Sequence, residues 1–224
     1  MNIDKYLDKI RKLHEFLIDY IDAEDDIELR YQFLIKFLID NQFQNNSYDL
    51  KLVLHLLCSI SNNHYRHTYF FNKIEKILHF FQKDIKKYFS NFEIFNIFKS
   101  NKRILLFLIE RKIIYIDNNI YYQISNYKYS EAEYLQYFSN EINKFLAKTE
   151  SNDITENFEE KRKIGENDDY VCTLIRKDMV EEFIYYVNKT NLPLSSVIKH
   201  SIFETNSFLI KNKDTKLIEY SAFF

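Results

Sequence analysis

Apolar positions recur along most of this chain at helical spacing. Ile3, Leu7, Ile10, Leu13, Leu17 and Ile21 fall on one stripe and predict a helix from Asn2 to about Tyr20. The acidic stretch DAEDDIE, Asp22 to Glu28, interrupts that stripe. Its Asp25 and Glu28 form a capping-box pattern that predicts a second helix over ELRYQFLIKFLID. Apolar residues occupy more than one face of that helix, which predicts cover on two sides. NQFQNNS reads as a loop, and a third helix is predicted from near Tyr48 through LVLHLLCSI.

SNNHYRHTYF, Ser61 to Phe70, reads as a longer connection. NKIEKILHFFQKDIKKYF follows with Ile74, Ile77, Leu78, Phe81 and Ile85 on one side. Ser90 and Glu93 form a capping box that opens FEIFNIFK. SNKRILLFLIERKIIYID then runs almost wholly apolar from Ile104 to Ile109. Residues 114–130 carry the least regular pattern and are compatible with a short strand pair. Ser130 and Glu133 predict a helix to about Leu146. AKTESNDITEN reads as a polar linker, and NFEEKRKIGENDD as an exposed helix leading into a turn at Gly165. YVCTLIR and DMVEEFIYYVN are predicted as short helices, the second opened by Asp178 and Glu181. Pro193 marks a loop. The expected organisation is a helical array over 1–148, a linker or exposed helix over 149–168, and further helix pairs over 169–224.

Repetition organises these elements. FEIFNIFKSNKRILLFLIE and YVCTLIRKDMVEEFIYYVN share the shape of a short helix, a polar break and a longer apolar helix. Ile97-Phe98 corresponds to Leu174-Ile175, and Ile104, Leu105, Phe107 and Leu108 to Phe183, Ile184, Tyr186 and Val187, with the gap differing by two residues. NKIEKILHFF and NKRILLFLIE begin alike about thirty residues apart, a period typical of stacked helix pairs. On that reading the run from Ile104 to Ile109 is apolar all round because neighbouring pairs enclose it.

SNKRILLFLIE resembles the second helix of an ankyrin repeat. Ile104 and Leu105 fall on its two valines, Phe107, Leu108 and Ile109 on its leucines, and Glu110 on its glutamate. LVLHLLCSIS resembles a first helix, with Leu54-His55-Leu56 on its Leu-His-Leu, and TKLIEYSAFF resembles another, with Ser221-Ala222 on its alanines. FSNFEIFNIFKSNKRILLFLIERKI, EEKRKIGENDDYVCTLIRKD and EEFIYYVNKTN are similar to the amino-terminal region of large ankyrin-like proteins of parasitic protists such as trichomonads. The likeness runs over most of Leu50 to Phe224. It implies stacked antiparallel helix pairs in a degenerate ankyrin-like solenoid that continues into further repeats. It also implies that His55 bonds backbone to order a turn. Ser100 and Lys112 stand at ankyrin glycine positions and Lys216-Leu217 at the Thr-Pro positions, so projecting β-hairpin fingers do not follow. The chain stops where the next glycine is expected, which reads as a truncated gene or a fragment.

Composition points the same way. One Gly and one Pro in 224 residues disfavour turn-rich strand folds and exclude glycine-rich phosphate loops. An all-α chain ending its helices on Asn and Asp is expected. Hydrophobic residues at 46% exclude disorder of the whole chain. A net charge of −2 gives no overall attraction to nucleic acid or anionic lipid. Cys58 and Cys172 lie among apolar neighbours and are expected as reduced, buried thiols. The charged N-terminus lacks a secretory signal, and no run approaches the ~20 apolar residues that span a bilayer. A cytoplasmic protein is expected.

No catalytic, metal or cofactor motif emerges. Cys58, His64 and His67 do not have zinc spacing. Asp22, Glu24, Asp26 and Glu28 alternate like a calcium loop but lack its glycine and closing glutamate. The expected function is a non-enzymatic helical-repeat module that binds other proteins. Asn62, Asn63, His64, Tyr65, Arg66 and His67 are its candidate contact residues, since Tyr and Arg favour recognition surfaces. Tyr220, Phe223 and Phe224 are expected on an exposed terminal face, with self-association as a consequence. One alternative is nucleic-acid binding by a face of Lys83, Lys86, Lys87, Lys99, Lys102 and Arg103. Another is an unrecognised enzyme using His55 or Cys172.

Overall fold

The computed structural model describes residues 3–64, 69–126, 131–147, 156–212 and 214–222. Among these the fold is all-α. The only strand-like pairing is an isolated antiparallel bridge between Val197 and Lys216. The chain forms two compact units, Met1–Ser61 with His67–Ile97, and Asn62–Arg66 with Phe98–Phe224.

The first unit is built from α1 (Ile3–Asp22), α2 (Ile27–Asp40), most of α3 (Ser47–Asn63), α4 (Phe70–Phe80), α5 (Gln82–Tyr88) and most of α6 (Asn91–Phe98). α1 packs on α2 and α4. The α1 stripe is buried from Leu13 through Leu17 to Ile21, while Ile3 and Leu7 remain exposed. Ile74, Ile77, Leu78, Phe81 and Ile85 are all buried, as their spacing predicts. α2 departs from expectation: Leu34 and Leu38 are buried, but Leu29, Phe33 and Ile39 face solvent, so one side is covered. The box expected from Asp25 and Glu28 does not form. Asp26 precedes the helix with φ 52 and no side-chain cap, and Glu28 pairs with Lys76 Nζ at 2.6 Å. The Ser90–Glu93 box does form, with Ser90 N donating to Glu93 Oε2 at 2.8 Å and Glu93 N to Ser90 Oγ at 3.3 Å.

Two buried charges brace this unit. Asp49 accepts from Lys9 Nζ at 2.7 Å, Tyr6 Oη at 3.0 Å and Asn46 Nδ2 at 3.2 Å. Burial alone would raise its carboxyl, but these hydrogen bonds outweigh burial and hold it below the ordinary range. Lys73 Nζ donates to the carbonyls of Ile21, at 2.8 Å, and Ala23, and so satisfies the C-terminal end of α1. Its ammonium is pushed down by burial, against the pull of Asp22 and Glu24.

The second unit holds α7 (Lys102–Glu110), α8 (Asn118–Ser125), α9 (Glu131–Tyr137), α10 (Ser139–Phe145) and α11 (Glu156–Ile164). It continues with α12 (Tyr170–Arg176), α13 (Val180–Thr190), α14 (Ser207–Lys211) and α15 (Leu217–Ser221). In α7, residues 101–108 are all buried, so the apolar run is enclosed as expected, with Ile109 partly covered. α7 packs on α11, and α12 on both α13 and α15. Residues 118–125, expected as possible strand, are helical because Asp117 caps them, accepting from Ile120 N at 2.8 Å.

The helix expected to be an exposed link, α11, is anchored by a buried residue. Arg162 donates to Glu141 Oε2 at 2.8 Å and Oε1 at 3.1 Å, and to Glu159 Oε2 at 2.6 Å. Two carboxylates make burial of so charged a segment tolerable. Residues 148–155 of the expected linker lie outside the described residues.

Helix ends show how a chain with one glycine turns. Lys112, at an expected glycine position, has φ 54, the left-handed conformation glycine would supply. Lys112 N donates to Ile109 O at 2.9 Å and Ile113 N to Leu108 O at 2.8 Å, closing a Schellman motif on α7. Asp178, φ 52, closes α12 in the same way, with Asp178 N to Ile175 O at 3.1 Å and Met179 N to Leu174 O at 3.0 Å. The connections 99–101 and 177–179 are equal in length, but Asn101 caps α7 with its side chain whereas α13 starts without a side-chain cap.

Candidate functional site: an apolar groove on the C-terminal helices

A polar frame fixes α12. Glu204 is buried and accepts from Asn206 N at 2.7 Å, Thr205 N at 2.8 Å and Asn167 N at 3.2 Å. Asn167 Nδ2 donates to Lys199 O at 2.7 Å, and Asn167 Oδ1 accepts from Asp169 N at 2.9 Å. Asp168 accepts from Ser201 Oγ at 2.6 Å and Lys161 Nζ at 2.7 Å. Burial would raise the Asp168 carboxyl, and these two donors keep it low. Arg176 pairs with Glu166 and donates to Asn167 O at 3.0 Å. The segment GENDD is therefore locked to the 199–206 loop, and Asp169 caps α12 by accepting from Val171 N at 3.1 Å.

Within that frame Val171, Cys172, Leu209, Leu217 and Tyr220 form a closed core. Ile175, Phe183 and Tyr186 lean on it from outside. α13 itself has no buried residue. Phe183, Ile184, Tyr186 and Val187, the counterparts of the enclosed α7 residues, are therefore not enclosed. Val180 is 54% exposed and Ile184 53%. Between α12, α13 and α15 lies a groove of 270 Å³. Its floor is Leu174, Ile175 and Leu217, and its walls include Met179, Val180, Phe183 and Ile218.

Among the described residues, Asp178 is the one charged residue lining the groove. Expected to open α13, it ends α12 instead, and α13 starts after Met179 without a side-chain cap. The Asp178 carboxylate makes no hydrogen bond or ion pair among the described residues, nor do those of Glu181 and Glu182 in the first turn of α13. Acidic residues there suit the positive end of the helix dipole. Ser221, the other polar lining residue, spends its hydroxyl on Ile218 O at 2.9 Å.

Of the six expected contact residues, Asn62, Asn63 and His64 are described. Asn62 is buried, its Nδ2 donating to Ser100 Oγ at 2.8 Å and its Oδ1 accepting from Asn101 Nδ2 at 3.2 Å. Asn101 in turn caps α7, accepting from Ile104 N at 3.0 Å. Asn63 Oδ1 accepts from Ser207 Oγ at 3.0 Å. Asn62 is therefore an internal brace at the end of α3 and not part of an exposed loop, while Asn63 remains exposed. His64 is half-buried, while Tyr65, Arg66 and His67 lie outside the described residues. Tyr220 is also corrected. Leu217 and Tyr220, three apart on α15, share the inward face, so Tyr220 is fully buried and Ile218, 60% exposed, points outward. Phe223 and Phe224 lie outside the described residues.

Several residues of the alternative chemistries sit differently from expectation. Lys102 and Arg103 leave the proposed basic face: both are buried, with Lys102 Nζ donating to Ile202 O at 2.6 Å and Arg103 Nε to Lys163 O at 2.5 Å. Burial pushes the Cys172 thiol up to about 12, which removes the thiolate a nucleophile needs. Cys58 is buried and donates to Ile97 O at 3.0 Å. His55 is mid-helix and exposed, not ordering a turn. Among the described residues no group of three or more His, Cys, Asp or Glu is placed to hold a metal ion. No helix there is long and apolar enough to cross a membrane.

The groove was missed because DMVEEFIYYVN reads as one more enclosed repeat helix; its two adjacent glutamates were the available signal that one side stays open. No family model, curated protein or solved structure matches the chain.

Proposed function

We propose that this chain is a non-enzymatic, ankyrin-like helical-repeat module that binds protein partners through the groove between α12, α13 and α15. The observation that carries this reading is α13, eleven residues with apolar side chains on their exposed surface and none buried. Apolar surface of this kind beside a formed groove marks an interaction site. Each large side chain covered on binding contributes roughly 1.5–3 kcal/mol, so a few anchors suffice for micromolar affinity. Work in the cytoplasm, and self-association through the same face, belong to this reading.

Capture from a cell extract tests it, comparing the wild type with Val180→Glu, at an exposed lining residue, and with a control at the exposed position Lys86→Glu. The reading expects a defined set of proteins retained by wild type and Lys86→Glu and lost with Val180→Glu. Equal recovery by all three overturns it.

A further inference from the structure

We propose that the occupant of this groove is an amphipathic helix of a partner protein, about three turns long, carrying Lys or Arg beside its apolar stripe. The inference rests on the protein-binding reading and specifies the partner's chemistry.

Length comes from α13. Its eleven residues span about 16 Å, which matches three turns of a helix laid alongside. Helicity comes from backbone accounting. The groove offers side chains of helices whose backbone is already paired, and Ser221 has already spent its hydroxyl. An extended segment lying there would bury its own N–H and C=O groups with nothing to meet them, whereas a helix satisfies them internally. Anchors at i, i+3 or i+4 and i+7 then enter between Val180, Phe183 and Ile218. Met179 at the mouth lets the walls adapt to different anchors.

Charge comes from Asp178, Glu181 and Glu182. Asp178 lines the groove and Glu181 and Glu182 follow it in the first turn of α13; none of the three carboxylates has a hydrogen bond or ion pair among the described residues, and no cation is among the described lining residues. An acidic side chain at that end is disfavoured by these carboxylates. A helix with basic residues at that end gains ion pairs with these carboxylates at an interface rim, each modest.

Fluorescence anisotropy of three labelled peptides against the full chain tests the proposal. The peptides share one apolar stripe over about eighteen residues and carry Lys, Gln or Glu at the flanking positions. The Lys peptide is expected to bind roughly tenfold more tightly than the Glu peptide at low salt. That preference should shrink in high salt and reverse in the variant Glu181→Lys/Glu182→Lys, whose substitutions lie on an exposed helix surface. Equal binding of all three peptides, lost in Val180→Glu, overturns the basic helix while leaving the protein-binding reading in place. Binding of none overturns the helical occupant, and the capture experiment then decides the broader reading separately. A dimer in sedimentation that Ile218→Glu dissociates, and that the Lys peptide fails to displace, identifies a second copy as the occupant and overturns the proposal.

Discussion

Arg162 and Tyr137 hold each other twice: Arg162 Nη1 donates to Tyr137 O at 2.7 Å, and Tyr137 Oη donates to Arg162 O at 2.8 Å. With the carboxylates of Glu141 and Glu159 on the same guanidinium, this exchange fastens α11 to α9 and α10. Arg162→Met removes the cation and leaves two partly buried anions facing each other. The expected loss is about 3–5 kcal/mol of stability, measured by urea unfolding. Glu159→Gln should cost much less, because Glu159 is a third exposed and Glu141 still pairs.

Lys102 makes stability depend on alkaline pH. Burial lowers its ammonium from 10.5 to about 8, against the attraction of Glu133 and Glu204. The unfolded chain therefore holds this proton more tightly than the folded one. Stability should be flat below pH 8 and rise as pH climbs from about 8 towards 10, by up to roughly 3 kcal/mol at full deprotonation. Urea midpoints read at pH 7, 8, 9 and 9.5 check the slope, and Lys102→Met should flatten it.

Lys112→Gly should stabilise the fold. A side chain at φ 54 costs about 1 kcal/mol that glycine avoids, partly offset by glycine's freer unfolded chain. A gain of a few tenths to about 1 kcal/mol in chemical denaturation is expected. Lys112→Val, β-branched and unable to sit in this region comfortably, should lose more than that.

Cys172 is expected to resist thiol reagents in the native chain. Its thiol is enclosed with Tyr220, and burial holds it up near 12. Timed alkylation with mass detection at pH 8 should label this residue only after denaturant is added, whereas Tyr220→Ala should speed the reaction by opening the core beside it. Rapid labelling in the native wild type would contradict the packing.

Periodicity carried the fold where one face was simply inside. The stripe from Ile74 to Ile85 and the run around Leu105 are legible because burial selects side chains at helical intervals. It failed where polar groups decide. Nothing in EEKRKI announces that Arg162 is internal, since that depends on Glu141, far away in sequence. Asp25 and Asp178 both matched an N-cap pattern, yet Asp25 caps nothing and Asp178 is used for its tolerance of left-handed backbone. The groove was illegible for a related reason: α7 and α13 have similar apolar content, and only the neighbours present in space distinguish an enclosed helix from an open one.

Asp178 joins two demands that separate residues would ordinarily meet. Its backbone must bend left-handed to finish α12, which leaves Gly and Asn as comfortable replacements, and both erase the negative charge at the groove. Tuning of partner preference is thereby shifted onto Glu181 and Glu182, whose helical backbone accepts almost any side chain. Divergent copies of this module should vary in charge at those two sites while position 178 stays confined to a narrow choice.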